Sequence, residues 1–338
     1  MANIAINGFG RIGRLFLRQA ISRKDFTITA VNDLGTPQSL AYLLEYDSVY
    51  GRFPEEIAAT DDNIRVGKKT IQFIREPDPL KLPWKRLGID IVLEATGIFE
   101  SYEKAKVHLL AGAKRVIITA PAKDQDGPDG KTVLVGINEG DINGAVMTSN
   151  GSCTTNASAP LMQILSENPG IRKAILNTIH AYTATQSMVD STVKGSDLRR
   201  GRAGAHSIIP STTGAAIAVS RVLPELQGKF DGIAMRVPVI AGSIADITFV
   251  SKQKTTVEEV NDVLRKAARE PRWQGIFSVT EEPIVSSDIV GQMYGAIADL
   301  SFTKVVDGNL VKVLSWYDNE AGYVATLVKH IEKVAALL

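Results

Sequence analysis

Along the first half of the chain, short apolar runs alternate with helix-spaced apolar stripes. Residues 4–6 form one run, after which Ile12, Leu15, Phe16 and Ala20 recur at helical spacing. Further runs lie at 26–31, 89–95, 116–118, 133–137 and 145–147, with a helical stripe over 102–110. Runs without polar alternation suit strands covered on both faces, so this order predicts an α/β domain with a parallel sheet. The second half changes character. Longer, partly alternating stretches at 174–180, 232–237, 244–250, 296–302 and 310–316 predict a mostly antiparallel sheet in an α+β domain. Helices are expected over 154–165, over 215–223 and from Thr256, where Thr256 and Glu259 have capping-box spacing. A last helix, carrying Val324, Leu327, Val328, Ile331 and Val334, is expected to pack back on the first domain.

The first break in the pattern is Asn7-Gly8-Phe9-Gly10-Arg11-Ile12-Gly13, in which Gly8, Gly10 and Gly13 match G-x-G-x-x-G. A side chain at Gly8 or Gly10 would obstruct the turn or a pyrophosphate, and the following helix offers that anion its free N–H groups. Asp33 closes the second run 20 residues beyond Gly13, where a carboxylate accepts from the adenosine ribose and repels a 2′-phosphate. Taken alone, Asp33 also reads as a helix cap or turn residue. Together with the strands and glycines it predicts a Rossmann-type domain that binds NAD. Thr96, Gly97 and Thr119 end later strands and so fall where ligands of open α/β sheets lie. The expected division is a cofactor domain over 1–152, joined by the helix at 320–338, and a catalytic domain over 153–319.

Charge narrows the function classes. Lys plus Arg number 38 against 37 Asp plus Glu, which disfavours nucleic acid or an acidic membrane as partner. No apolar run is long enough for a membrane helix, and the start lacks a signal-peptide pattern. A cytoplasmic enzyme or binding protein is expected, with no metal site.

Candidate chemistry centres on Cys153, the one cysteine in the chain. It sits among small hydroxylated residues, Ser152-Cys153-Thr154-Thr155-Asn156, at the start of an expected helix whose dipole favours a thiolate. His180 follows 27 positions later and is a candidate partner for a thiolate–imidazolium pair; a structural histidine is the alternative. Arg236 stands alone between apolar neighbours and needs a carboxylate or a bound anion. Arg199, Arg200 and Arg202 form a basic loop segment, and Thr213-Gly214 precede a helix whose N–H groups suit phosphate. A solvated loop and a helix cap are the plain alternatives for these last two.

Asn7 to Arg14, Ser152 to Asn156, His180-Ala181-Tyr182-Thr183 and Trp316-Tyr317-Asp318-Asn319-Glu320 strongly resemble phosphorylating glyceraldehyde-3-phosphate dehydrogenases. The likeness runs from Asn3 to the last helix. It implies that Cys153 attacks an aldehyde to give a thiohemiacetal, that His180 acts as acid–base, and that phosphate resolves a thioester into an acyl phosphate. It implies Thr183 and Arg236 for one anion site. Ser152, Thr154, Thr213 and Gly214, with Arg199 or Arg200, make the other. Gly8, Gly10, Arg11, Ile12, Gly13, Asp33, Thr96, Gly97, Thr119, Asn319 and Tyr323 are implied for the cofactor, with Asn319 orienting the nicotinamide carboxamide. A homotetramer is implied as well, in which the loop at 181–209 reaches a neighbouring subunit. Departures from the pattern include Ala157 for a second cysteine, Gly151 for alanine, Ala321 for tryptophan, Ile217 for lysine and Pro77 for an arginine near the adenine. Asp190-Ser191-Thr192 lacks a proline-containing pair that helps exclude NADP, so NAD preference with some NADP use is expected. An erythrose-4-phosphate dehydrogenase is the nearest enzymatic rival. A nucleic-acid or partner-binding scaffold is the rival from another class, supported only by the arginine cluster.

Overall fold

The computed structural model describes residues 1–193 and 196–338. It comprises two compact units, Met1–Gly151 with Leu327–Leu338, and Ser152–Thr326. In the first unit, β1 (Ala2–Asn7), α1 (Arg11–Ala20) and β2 (Phe26–Asn32) make the opening βαβ element. They are followed by α2 (Pro37–Glu45), β3 (Tyr46–Asp47), β4 (Gly51–Arg52), β5 (Ile57–Ala59), β6 (Asn63–Val66) and β7 (Lys69–Ile74). Next come β8 (Ile91–Glu94), α3 (Tyr102–Ala105), α4 (Val107–Leu110), β9 (Arg115–Ile118), β10 (Gly130–Thr132) and β11 (Met147–Ser149). Apart from the β3–β4 ribbon, these strands form one sheet in the order β10-β11-β9-β8-β1-β2-β7-β6-β5. Pairings from β10 to β7 are parallel, and β6 and β5 add an antiparallel extension. The core is made by the unbroken apolar runs: Ile4, Ile6, Ile91, Val92, Leu93 and Ile117 have no exposed surface.

One polar cluster lies inside this apolar frame. Asn7 Nδ2 donates to Glu94 Oε2 at 2.6 Å, and His108 Nε2 lies 3.0 Å from the same oxygen. Trp84 Nε1 donates to His108 Nδ1 at 3.2 Å, which leaves the histidine proton on Nε2 and directed at the carboxylate. Glu94 Oε1 accepts the Thr96 N–H at 2.8 Å. The carboxyl ends of β1 and β8 are thereby tied together by satisfied buried groups, as a buried charge requires.

The second unit contains α5 (Cys153–Glu167), β12 (Ile171–Ala181), β13 (Ile209–Thr212), α6 (Ala215–Val222), β14 (Phe230–Val237) and β15 (Ser243–Ser251). It continues with α7 (Val257–Ala267), β16 (Phe277–Thr280), β17 (Ala296–Val306), β18 (Leu310–Tyr317) and the start of α8 (Ala321–Ala335). The sheet order is β13-β14-β12-β15-β18-β17-β16. It is mostly antiparallel, with parallel pairings at β12–β14 and β16–β17. α5 packs on β12, β15, β17 and β18, which sets its first turn against the buried face of the sheet.

Three expected elements differ. The apolar run at 133–137 is not a strand: Val133 and Leu134 are buried in turns closed by Ile137 N–H to Leu134 O at 3.0 Å and Leu134 N–H to Asn138 Oδ1 at 2.9 Å. The strands there are β10, just before the run, and β11, which begins where the expected strand at 145–147 ends. The stripe at 102–110 folds as two short helices, because bonding shifts to three-residue spacing at Lys106, whose carbonyl accepts from Leu109 N–H.

Candidate active site

At the carboxyl edge of β1, Gly8 takes φ +96, and a Cβ there would sit 2.6 Å from Ala95 C and Thr96 N. A Cβ on Gly13 would sit 2.2 Å from Gly8 O, so the third glycine lets α1 close on the turn. Gly10 caps α1, and a Cβ there meets nothing within 4 Å, so the fingerprint leaves open space where a ligand can approach. Asp33 is locked in place, with Oδ2 accepting from Phe9 N–H at 2.7 Å and Oδ1 from Gly35 N–H at 2.8 Å. Asn7, Gly8, Gly10, Asp33, Glu76 and Thr96 contribute to a cleft of about 280 Å³. Its glycine turn, helix N terminus and fixed carboxylate fit a dinucleotide.

Other expected cofactor residues are placed differently. The Arg11 guanidinium binds Asp47 at 2.5 Å and lies over the Tyr50 ring. Thr119 is turned to its own sheet, with its N–H and hydroxyl both donating to Glu94 O at 3.0 Å. Ile12, Gly97 and Thr119 are not among the cleft-lining residues. Glu76 and Pro77 also line the cleft. Pro77 stands out in the sequence only as a departure from the family pattern, and no local signal points to Glu76.

In the second unit, Cys153 is the first residue of α5. Ser152 is its N-cap, with Thr155 N–H donating to Ser152 Oγ at 3.0 Å and Ser152 N–H to Thr155 Oγ1 at 3.1 Å. This box uses the Ser152 hydroxyl for structure and fixes the helix start that carries the thiol. His180 lies near the end of β12, and its Nε2 is 3.3 Å from Cys153 Sγ. His180 Nδ1 is 2.6 Å from Ala181 O, so an Nδ1 proton has an acceptor and Nε2 keeps its lone pair for the thiol. Across the β12–β14 pair, His180 is in register with Arg236. Arg236 Nη1 is 2.6 Å from His180 Nδ1 and donates to Ala181 O at 3.2 Å. The Ala181 carbonyl only accepts and the Arg236 guanidinium only donates, so when Nδ1 is protonated toward Ala181 the guanidinium crowds the ring.

Burial and neighbouring charge both act on this pair. Burial pushes the Cys153 thiol up, against the opposing pull of Arg236 and of the Thr154 N–H and hydroxyl. Burial, aided by Arg236, pushes His180 down to about 3. Burial therefore works against both halves of the expected thiolate–imidazolium pair, while Arg236 favours the thiolate and opposes the imidazolium.

Tyr317, which the sequence offers only within the motif 316–320 and with no role of its own, joins the elements that carry this pair. Its hydroxyl lies 2.8 Å from Thr154 Oγ1 and 2.7 Å from Thr178 Oγ1, and its ring meets His180 edge-on at 5.9 Å. No local pattern reveals these contacts, because they depend on sheet register.

The anion-site residues are only partly gathered. Arg200 Nη2 reaches Ser211 Oγ at 3.4 Å on β13, the strand paired to Arg236's own, and its charge is felt by Arg236. Arg199 instead pairs with Asp197 at 2.8 Å, and Arg202 with Asp190 at 2.9 Å, both at the surface. Thr183 follows β12, with Oγ1 2.9 Å from Thr185 Oγ1. Thr213 Oγ1 accepts Ala215 N–H at 3.2 Å, while Gly214 caps α6. Asn319 is buried beside Gly242 and Ser243, and Tyr323 is buried in α8. Of the loop at 181–209, positions 194 and 195 lie outside the described residues.

Sequence families agree with this layout. Residues 2–102 match the family described as the glyceraldehyde 3-phosphate dehydrogenase NAD binding domain, and residues 152–319 match its C-terminal domain. The chain is 48% identical to a glyceraldehyde-3-phosphate dehydrogenase of Clostridium acetobutylicum, covering 100% of this chain and 99% of that protein. It is 50% identical to one of Thermotoga maritima, covering 98% of each, and 48% identical to one of Borreliella burgdorferi, covering 98% and 99%.

Proposed function

From the premise that the chain belongs to the glyceraldehyde-3-phosphate dehydrogenase family, we propose that it oxidises glyceraldehyde 3-phosphate to an acyl phosphate with NAD and inorganic phosphate. The observation that carries this reading is Cys153 Sγ lying 3.3 Å from His180 Nε2, with Arg236 against the same imidazole. His180 Nε2 takes the thiol proton as Cys153 Sγ bonds to the aldehyde carbon. The imidazolium Nε2–H and the Cys153 backbone N–H then face the developing oxyanion of the thiohemiacetal. The imidazolium gives that proton to the oxyanion, forming the thiohemiacetal hydroxyl, and the neutral Nε2 takes it back as the hydride leaves the same carbon. The Gly8–Gly13 turn and Asp33 would hold NAD, which would supply the hydride acceptor needed for the adduct to become a thioester. Inorganic phosphate attacks the thioester carbonyl, the carbon–sulfur bond breaks, and Cys153 leaves as the thiolate.

Arg236, with Thr183 at the end of the neighbouring strand, takes one phosphate. Arg200, with Ser152, Thr154, Thr213 and Gly214, takes the other; Arg200 rather than Arg199 is assigned because it reaches Ser211 on the strand beside Arg236 and holds Asp197 only at 4.0 Å, against 2.8 Å for Arg199. A phosphate on Arg236 also draws the guanidinium from His180 and offsets its charge, so the substrate itself makes the imidazole a better base. Asp33 carries the preference for NAD, and Asp190 to Thr192 admit some use of NADP. The reading brings with it a cytoplasmic location and a homotetramer, for which Ile175 and Ile233, 59% and 47% exposed on the catalytic sheet, offer apolar surface. The basic cluster gives nucleic acid little to hold, because Asp197 and Asp190 offset two of its three arginine charges.

Initial rates on the three-carbon and four-carbon aldehyde phosphates test the substrate. The glyceraldehyde compound is expected to have the higher kcat/KM, and a clear preference for erythrose 4-phosphate rejects the assignment.

A further inference from the structure

Asn319 is 6% exposed, and both of its hydrogen bonds end on the same atom. Gly242 N–H donates to Oδ1 at 3.2 Å, and the Ser243 hydroxyl donates to it at 3.1 Å. A backbone N–H can only donate, so the oxygen end of the amide is identified and held. The Nδ2 end has no partner among the described residues. Ser243 is itself fixed. It is 1% exposed, opens β15, and its Oγ accepts the Ala181 N–H at 3.0 Å. Its single proton is thereby left for Asn319. Gly242 is pinned too, at φ +85, where a Cβ would lie 2.2 Å from Ser286 O.

We propose that Ser243 is a positioning residue for the cofactor: with Gly242 it pins the Asn319 oxygen, so that Nδ2 is presented as a donor to the carbonyl of the nicotinamide carboxamide. This rests on the assignment of Asn319 to that group. A carboxamide offers an acceptor at one end and a donor at the other, and an unpinned asparagine would serve either. The pinned one selects the carbonyl. The same hydroxyl holds Ala181, whose carbonyl lies against His180 Nδ1, so one side chain steadies both the amide donor and the base.

Affinities for NAD and for ADP-ribose, which lacks the nicotinamide, test this in the full chain. Ser243→Ala is expected to weaken NAD about five- to tenfold, the worth of one hydrogen bond, and to leave ADP-ribose unchanged. Asn319→Ala is expected to lose at least as much on NAD alone. If N319A loses NAD affinity but S243A keeps the wild-type ratio of the two ligands, the positioning role is overturned and the Asn319 assignment stands. If N319A also keeps that ratio, both fall. Equal loss of both ligands in S243A overturns the proposal as well. Should S243A fail to fold, Ser243→Cys is read instead, a near-isosteric weaker donor with the same expected direction and a smaller shift.

Discussion

At Cys153, burial and positive charge act in opposite directions, and burial prevails in the free enzyme. The thiol of the free protein should therefore react with iodoacetamide at a rate that climbs through the alkaline range. A plateau already reached near pH 6 would show a preformed ion pair and contradict this account. The lone cysteine makes the readout unambiguous, since any label reports this residue. Cys153→Ser should abolish turnover and leave NAD affinity unchanged; near-native turnover would remove Cys153 from its role. Arg236 pulls the thiol down and also pushes the imidazole down. Arg236→Gln should slow alkylation at neutral pH and raise KM for the aldehyde phosphate about ten- to a hundredfold, the worth of a charge-assisted contact. An unchanged KM would mean that the phosphate sits elsewhere.

Elements differ in how far the sequence reveals them. The turn from β1 into α1 was legible because its demands are local: Gly8 and Gly13 have no room for a Cβ, and Asp33 closes the next strand at a fixed distance. α7 was legible by its cap, and α5 by its helical pattern. Thr256 accepts from Glu259 N–H at 3.2 Å, and Glu259 returns a bond to Thr256 N–H at 2.9 Å. Thr256→Ala should lower unfolding stability by about 1 kcal/mol with activity unchanged, as read by denaturant melts and initial rates. The run at 133–137 misled because burial alone cannot separate a strand from a buried turn. β5 to β7 escaped notice because their apolar runs are short and interrupted by charge, as in Asn63-Ile64-Arg65-Val66. The roles of Tyr317 and Ser243 were hidden for a different reason. Their partners lie 62 to 163 residues away, on elements whose register only the folded sheet defines.

Across the whole chain, the C-terminal segment Leu327–Leu338 clusters with residues 1–151, and His330 shows how. Its Nε2 lies 2.8 Å from Thr148 Oγ1 and its Nδ1 3.0 Å from Asn150 Oδ1, in a site that pushes its pKa down to about 4. The unfolded chain, with a histidine near 6.5, binds the proton first. Stability from this group is therefore full above about pH 6.5 and is lost as pH falls toward 4. His330→Gln should keep more of its neutral-pH melting temperature at pH 5 than the parent does. An identical pH dependence in both would show that this histidine does not carry the effect.

The central claim is that a Cys153 thioester is resolved by phosphate on a dinucleotide-binding scaffold. NADH formation from glyceraldehyde 3-phosphate and NAD, measured with and without inorganic phosphate, tests it most directly. The account predicts sustained turnover only with phosphate, yielding an acyl phosphate, and at most one equivalent of NADH per chain without it. Equal turnover in its absence, with the free acid as product, would contradict it.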